Sequence, residues 1–304
     1  MRLLVKMDEN PDEMDEKNQE ISHPDKILFP DTGIMKQDLV DYYTRIAGYM
    51  LPHIQGRPLT LKRYPEGIGQ KGFFNKRAPD YFPEFIQRVS VPLHSEEGKS
   101  IRMVMADEKE DLFYFGGQDV IEIHVGSAHA TNLEKPDQVI FDLDPSDGDF
   151  EKIRQVAMAF REYLDQREIT SFIKTTGSRG VHIHIPLRVG KSFSEIKPLS
   201  RQVAEQIHQM LPELTTLEIR KEHRGNKVFI DYLRNDYGMT SIAPYSLRAL
   251  AAAPVATPIG WKELADSDLN AGTYHWSNIF RRLGQKEDPW RNFNRHRIEA
   301  YRLV

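Results

Sequence analysis

The 304-residue chain contains no cysteine. That absence removes disulfides, thiolate nucleophiles and cysteine-type zinc sites together, so any metal must be held by carboxylate or imidazole. Such donors favour hard ions such as Mg²⁺ or Mn²⁺. Also lacking is any apolar run near the ~20 residues needed to span a bilayer, and the opening Leu3-Leu4-Val5 is too short for the apolar core of a signal sequence. The expectation is a cytoplasmic protein with no membrane partner. A basic excess is missing too: 41 Lys and Arg stand against 45 Asp and Glu, a net charge of −4. This weighs against a nucleic-acid binder, because phosphate contacts usually leave a positive balance. Seven of the acids, however, crowd into residues 1–20 (Asp8, Glu9, Asp12, Glu13, Asp15, Glu16, Glu20) against Arg2, Lys6 and Lys17. The rest of the chain is near neutral and has room for a local basic patch. The acidic segment itself lacks apolar periodicity and reads as a flexible tail.

What is present is 39% hydrophobic residues, enough for one large core or two closely joined lobes. Lys36–Ile54 carries Leu39, Tyr42 or Tyr43, Ile46 and Met50 at the spacing of an amphipathic helix. A strand follows over 58–63. Val139–Asp144 reads as a strand, and Phe150, Ile153, Val156, Phe160 and Tyr163 then recur at helical spacing to about Arg167. Strands over 170–176 and 181–187 flank a glycine-containing turn, and a helix over 196–211 tolerates Pro198 only near its start. Residues 227–233 form one more internal strand. Ala251–Pro258 reads as an extended connector, and the polar stretch 288–304 as a peripheral helix.

The strongest chemical signal is Phe141-Asp142-Leu143-Asp144-Pro145. Side chains alternate along a strand, so Phe141 and Leu143 can enter a core while Asp142 and Asp144 project together from the other face. Two adjacent carboxylates call for a cation or a shared proton; a solvated strand edge is the plain alternative. Asp231 lies in the apolar run Val228–Leu233, where an unpaired carboxylate would cost several kcal/mol. Either a metal shared with Asp142 and Asp144, or an ion pair with Arg234 or Arg248, would compensate it. Three acids on neighbouring strands suit two divalent ions that activate a hydroxyl and stabilise a leaving pyrophosphate. Thr175-Thr176-Gly177-Ser178-Arg179-Gly180-Val181-His182 offers converging backbone N–H groups together with the donors Ser178, Arg179 and His182. It is a plausible triphosphate cradle but not a Walker A loop, and a simple hairpin turn is the competing reading. His182 and His184 form a His-x-His pair with no third zinc ligand in view.

In their order along the chain, these segments resemble the polymerase domain of bacterial ligase D, within the archaeo-eukaryotic primase superfamily. The resemblance runs from about His23 to Leu264. It rests on His23-Pro24-Asp25-Lys26, Leu51-Pro52-His53-Ile54 with Gly56-Arg57-Pro58, Gly72-Phe73-Phe74-Asn75-Lys76, the Asp142/Asp144 strand, the Gly177–His182 loop, Val228–Asn235 and Ala243-Pro244-Tyr245-Ser246-Leu247-Arg248-Ala249. It implies an α/β (α+β) primase-like fold, with a mixed central sheet flanked by helices and a smaller N-terminal lobe. The lobe would occupy about 21–135, the catalytic core about 136–265 and a C-terminal helical segment about 266–304.

The resemblance also implies roles. Asp142, Asp144 and Asp231 would be catalytic and hold two Mn²⁺ or Mg²⁺ ions. Thr176 (where the family has serine), Ser178, Arg179 (where lysine is usual), His182, His124, Arg234 and Arg248 would bind the nucleotide. Lys26 and Lys36, joined by Lys62 and Arg63, would hold a DNA 5′-phosphate, helped by backbone N–H groups at the start of the first helix. Phe73 and Phe74 match aromatics placed to stack on template bases, although a phenylalanine pair is otherwise core more often than not, so one of the two is expected to stack. Arg224 would shape the active site. The implied activity is template-directed nucleotide addition, preferring ribonucleotides, that fills gaps and extends 3′ ends during non-homologous end joining at double-strand breaks. Its substrates would be NTPs or dNTPs on DNA ends and on gapped DNA carrying a 5′-phosphate. No ligase lysine motif is visible, so a free-standing polymerase is expected, nucleoid-associated and working with Ku and a separate ATP-dependent DNA ligase. A primase that starts strands de novo, a noncatalytic end-bridging module and a metal phosphodiesterase are the alternatives.

Overall fold

The computed structural model describes residues 20–304, so the acidic segment read as a tail lies, but for Glu20, outside the described residues. Two mixed layers share the chain. The N-terminal layer opens with a small hairpin, β1 (Ile27–Phe29) and β2 (Ile34–Met35), leading straight into α1 (Lys36–Ile54). The bounds of α1 are those the periodicity predicts. Asp38 caps its start by accepting the Met35 N–H at 2.8 Å. Leu39, Tyr42, Tyr43, Ile46 and Met50 are fully buried along one face. The two tyrosines bury because each hydroxyl finds a carbonyl, Tyr42 donating to Tyr245 O and Tyr43 to Ile121 O.

That helix and α2 (Lys109–Gly117) pack on a sheet ordered β13-β7-β3-β6-β5 with β4 beside β3. Its strands are β3 (Leu59–Arg63), β4 (Phe73–Asn75), β5 (Arg88–Pro92), β6 (Ser100–Val104), β7 (Val120–Gly126) and β13 (Thr240–Ile242). The lobe is therefore not one stretch of sequence: β13 returns from the later half of the chain to pair with β7.

The second sheet is ordered β11-β12-β8-β10-β9-β14. It comprises β8 (Gln138–Pro145), β9 (Phe172–Thr175), β10 (Val181–Pro186), β11 (Thr215–Thr216), β12 (Val228–Asp231) and β14 (Pro258–Ile259). Only β11 and β12 run parallel. Phe141 and Leu143 face α3 (Phe150–Asp165) and α4 (Phe193–Met210) in the main apolar cluster of this half. The α4 start lies at Phe193, three residues before the predicted one, because Ser192 and Glu195 form a capping box. The internal strand expected over 227–233 stops at Asp231, where Asn235 folds back to bond the Ile140 N–H and C=O at 2.8 and 2.7 Å.

Two short helices follow, α5 (Trp261–Leu264) and α6 (Ile279–Gln285). The stretch 288–304 is not a peripheral helix. It forms two short 3₁₀ turns and sends Trp290, Phe293, Ile298 and Leu303 into buried positions, because its few large apolar residues pack in two separate clusters, Trp290 and Phe293 with Phe172, and Ile298 and Leu303 with the second-sheet core, rather than along one helical face. Among the described residues no helix is long and apolar enough to cross a membrane.

Candidate active site

The strand register brings the distant acids together. Asp231 on β12 lies directly opposite Asp142 on β8, and Asp144 lies opposite Phe229 two residues along. Continuing the row, Asp142 faces His182 on β10 and His182 faces Lys174 on β9. Directly paired residues share a face, so Asp231, Asp142, His182 and Lys174 form one polar line on the side of the sheet away from α3 and α4.

The Gly177–His182 loop closes over this line. Gly177 adopts φ +67, and a Cβ at Gly180 would lie 1.9 Å from Leu143 O, so only glycine lets the loop cross β8 so closely. Thr176 pins the turn: its hydroxyl accepts the Ser178 and Gly180 N–H groups at 3.3 and 3.2 Å. Arg248 donates to Thr176 O at 2.9 Å. A pocket of about 210 Å³ opens between the two sheets, lined by Asp142, Asp144, Thr176, Ser178, Arg179, His182, Arg234 and Arg248 from one side and by His124 and Thr240–Ile242 from the other. All seven residues assigned to the nucleotide thus border one space, as do two of the acids.

Each acid is met by an arginine. Arg234 reaches Asp231 at 3.2 Å and Asp142 at 3.6 Å, Arg179 reaches Asp144 at 3.1 Å, and Arg224 approaches Asp144 at 3.9 Å. The ion-pair alternative for Asp231 is therefore realised through Arg234, while Arg248 turns to Glu122 instead. As the side chains are placed, no group of three or more His, Asp or Glu among the described residues is arranged to hold a metal ion. That holds for the acids and for the His182/His184 pair alike.

The donor chemistry nevertheless suits a hard cation. Burial raises the carboxyl pKa of Asp144 and Asp231 against the pull of Arg179 and Arg234, and the charge of Asp142 adds to it. Burial also opposes the Asp142 charge, but His182 and Arg234 hold its pKa below the usual value. His182, 3.5 Å from Asp142, is itself depressed to about 4 by burial and by Lys174, so it is a neutral imidazole at pH 7. Lys174, fully buried and without a hydrogen-bond partner for Nζ, is lowered to about 7 by burial and Arg248.

Lys174 and Glu122 are residues that sequence reasoning missed. The signal for both was a charged residue inside an apolar strand, in Phe172-Ile173-Lys174 and in Val120-Ile121-Glu122-Ile123.

The predicted phosphate pocket is assembled in part. Lys26 and Lys36 converge on Asp119 at 2.7 and 3.2 Å, and Arg63 donates to Gln118 O close by. Lys62 does not join them, since neighbours on a strand face opposite ways; it points to Glu122 at 3.6 Å. The first N–H groups of α1 are already taken, those of Lys36 and Gln37 donating to Lys26 O and Pro24 O, which removes the predicted backbone contribution. Phe73 and Phe74 are not core: they are 45% and 57% exposed. Arg224 is buried over the Phe229 ring and donates to Glu218 O and Ile219 O, which orders the basic segment beside Asp144.

A family model described as LigD, primase-polymerase domain, matches residues 35–290. The chain belongs to the LigD primase-polymerase family. It is 34% identical over 255 residues to the multifunctional non-homologous end joining protein LigD of Mycolicibacterium smegmatis, covering 82% of this chain and 33% of that protein. To the bifunctional non-homologous end joining protein LigD of Bacillus subtilis it is 30% identical over 274 residues, 90% of this chain and 43% of that one. The chain thus spans well under half the length of these relatives. The polymerase domain of Mycobacterium tuberculosis ligase D, solved in complex with DNA, superposes with a TM-score of 0.84 at 30% identity, covering 93% of this chain and all of that one. This likeness bears out the mixed α/β primase-like fold.

Proposed function

We propose that the protein is a metal-dependent, template-directed nucleotidyltransferase that fills gaps and extends 3′ ends at DNA double-strand breaks, with a preference for ribonucleotides. The observation that carries the reading is the register that sets Asp231 against Asp142, with Asp144 two residues along, below a glycine loop and Arg248 in one pocket. In the reaction, the 3′-hydroxyl of a primer gives up its proton to solvent as its oxygen forms a bond to the α-phosphorus of the nucleotide, and the bond to the bridging oxygen breaks, carrying its electron pair away on pyrophosphate. Asp142, Asp144 and Asp231 are the residues that would hold two Mn²⁺ or Mg²⁺ ions. Such ions, when bound, lower the pKa of the attacking hydroxyl and neutralise the departing pyrophosphate.

The chain's own groups do the rest. Arg248, Arg179 and the backbone of the Gly177–His182 loop orient the phosphates. His124 and His182, both held neutral at pH 7 by burial, border the phosphates without adding repulsion to the cations, the single N–H of each ring being turned to a carboxylate, Glu122 and Asp142. Arg234, which pairs with Asp231 and Asp142, is the group that would turn to the phosphates if the acids held cations. The exposed Phe73 and Phe74 stack template bases, and Lys26 and Lys36 exchange Asp119 for the 5′-phosphate across a gap. Ku and an ATP-dependent DNA ligase are the partners proposed for it at a break, and the nucleoid of the cytoplasm is where it would act.

Alanine at both Asp142 and Asp144 is expected to abolish Mn²⁺-dependent primer extension while leaving binding to 5′-phosphorylated gapped DNA intact. Retained extension refutes the assignment. A second reading, a noncatalytic end-bridging module, is favoured by the arginine paired with each acid; a wild-type chain that incorporates no nucleotide in Mn²⁺ on gapped DNA would favour it over the polymerase. A de novo primase is told apart by synthesis on a template that offers no 3′-hydroxyl.

A further inference from the structure

Glu122 lies outside the lining of the nucleotide pocket, yet four groups converge on it. On β7 it is buried to 3% exposure. One oxygen takes Arg248 at 3.4 Å, Lys62 at 3.6 Å and the Ala249 N–H at 3.2 Å; the other takes His124 Nε2 at 3.2 Å. Burial opposes its charge, but these partners outweigh burial and hold its pKa down to about 2, so it is a carboxylate throughout the physiological range.

Its partners lead in two directions. Across the sheet, Glu122 pairs with Lys62 on β3 and Lys62 with Phe74 on β4, in one continuous row. Lys62 Nζ lies 5.3 Å from the centre of the Phe74 ring, and that ring meets His124 edge-on at 5.5 Å. Toward the other sheet, Arg248 passes from Glu122 to Thr176 O in the glycine loop. A single buried carboxylate therefore joins an exposed aromatic ring to the phosphate-facing loop, and every link is a direct contact.

We propose that Glu122 is a positioning residue that couples stacking of a template base on Phe74 to binding of the incoming nucleoside triphosphate. This rests on the polymerase reading above. A base that fixes the Phe74 ring also fixes the His124 edge and the Lys62 head beside it. With those two settled, Glu122 presents Arg248 and His124 to the phosphates in one arrangement, and the cost of ordering them is met once rather than twice. Linkage then requires the effect to be reciprocal: template raises nucleotide affinity and nucleotide raises template affinity by the same factor.

The test uses the full chain and a nucleoside triphosphate with a non-hydrolysable α,β-bridge in Mn²⁺, its affinity measured with and without 5′-phosphorylated gapped DNA. For the wild type, DNA is expected to tighten the nucleotide by about tenfold, within the usual range of coupling between sites. In E122Q the gain falls below about twofold, the KM for nucleotide in extension rises about tenfold and kcat changes by less than about twofold, the pattern of lost ground-state positioning. E122D, which keeps the charge, restores most of the gain. A merely structural role would lower the melting temperature without that split.

If E122Q does not fold, Lys62→Gln at saturating DNA breaks the same path from the Phe74 side and should also remove the gain. The proposal is overturned by a gain that persists in folded E122Q or in Lys62→Gln, or by a wild type that extends primers yet shows no gain. A wild type that neither binds nucleotide nor extends primers sinks the polymerase reading itself, a result distinct from the other two.

Discussion

Arg234→Gln separates the two duties given to that side chain. Arg234 sits 3.2 Å from Asp231 and 3.6 Å from Asp142, where a cation shared by the two acids would act. At an effective dielectric of ~20, charges ~4 Å apart attract by ~4 kcal/mol. The side chain is 35% exposed, though, and measured pairs of this kind retain only ~0–1 kcal/mol each after solvent screening and side-chain entropy. The two contacts together oppose an incoming dication by about 1 kcal/mol, which is roughly fivefold in affinity. Glutamine removes that competitor while keeping the length and polarity. The backbone at this position should not move, because Asn235 ties the turn to Ile140. Mn²⁺ titration followed by the electron paramagnetic resonance of the free ion, without nucleotide or DNA, should therefore give about threefold to tenfold tighter binding in the variant. Extension should fall at the same time, through weaker triphosphate binding. Unchanged or weaker Mn²⁺ binding would refute the reasoning.

Asp137, 1% exposed, takes Arg57 in two contacts at 2.8 and 2.7 Å and also meets His129 and Arg297; Asp137→Asn strands a buried arginine and should cost ~3–5 kcal/mol in a urea titration. Lys174→Met replaces a buried ammonium that has no hydrogen-bond partner and should stabilise the protein by ~1–4 kcal/mol. The folded pKa of Lys174 is lowered from 10.5 to about 7, so its charge penalises the fold fully below about pH 7 and not at all above pH 10.5. The gain from Lys174→Met should thus be larger at pH 6.5 than at pH 9.5; equal gains would contradict the lowered value. Phe74→Ala, at an exposed ring, should shift stability by no more than ~0.5 kcal/mol while weakening gapped-DNA binding by ~1–3 kcal/mol. A large loss of stability would mark the ring as core instead.

The site was legible where its chemistry is written in local pattern. Strand alternation alone puts Asp142 and Asp144 on one face, and the cost of an acid in the apolar run Val228–Leu233 points to a partner for Asp231. Helical spacing gave the bounds of α1 because its tyrosines, leucine, isoleucine and methionine all bury on one side. What stayed hidden depends on pairing across the sheets. That Lys62 would turn to Glu122 while Arg63 reaches Gln118 follows from β3 lying beside β7, which no local pattern reveals. The meeting of Lys26 and Lys36 on Asp119 likewise joins segments far apart in the chain. The polar C-terminal stretch reads as a helix because its large residues are sparse, and nothing local shows that Trp290 and Phe293 pack on Phe172 while Leu303 enters the second-sheet core. The arginines on the acids were foreseen only at Asp231, since their placement depends on what the site holds.

Anomalous scattering at the manganese edge, from crystals grown with Mn²⁺ and a non-hydrolysable nucleotide, tests the central claim most directly. The account predicts density for manganese bounded by the carboxylates of Asp142, Asp144 and Asp231, with Arg234 turned toward the phosphates. Manganese bound elsewhere, or the three acids still closed on their arginines with nucleotide in the pocket, would contradict it.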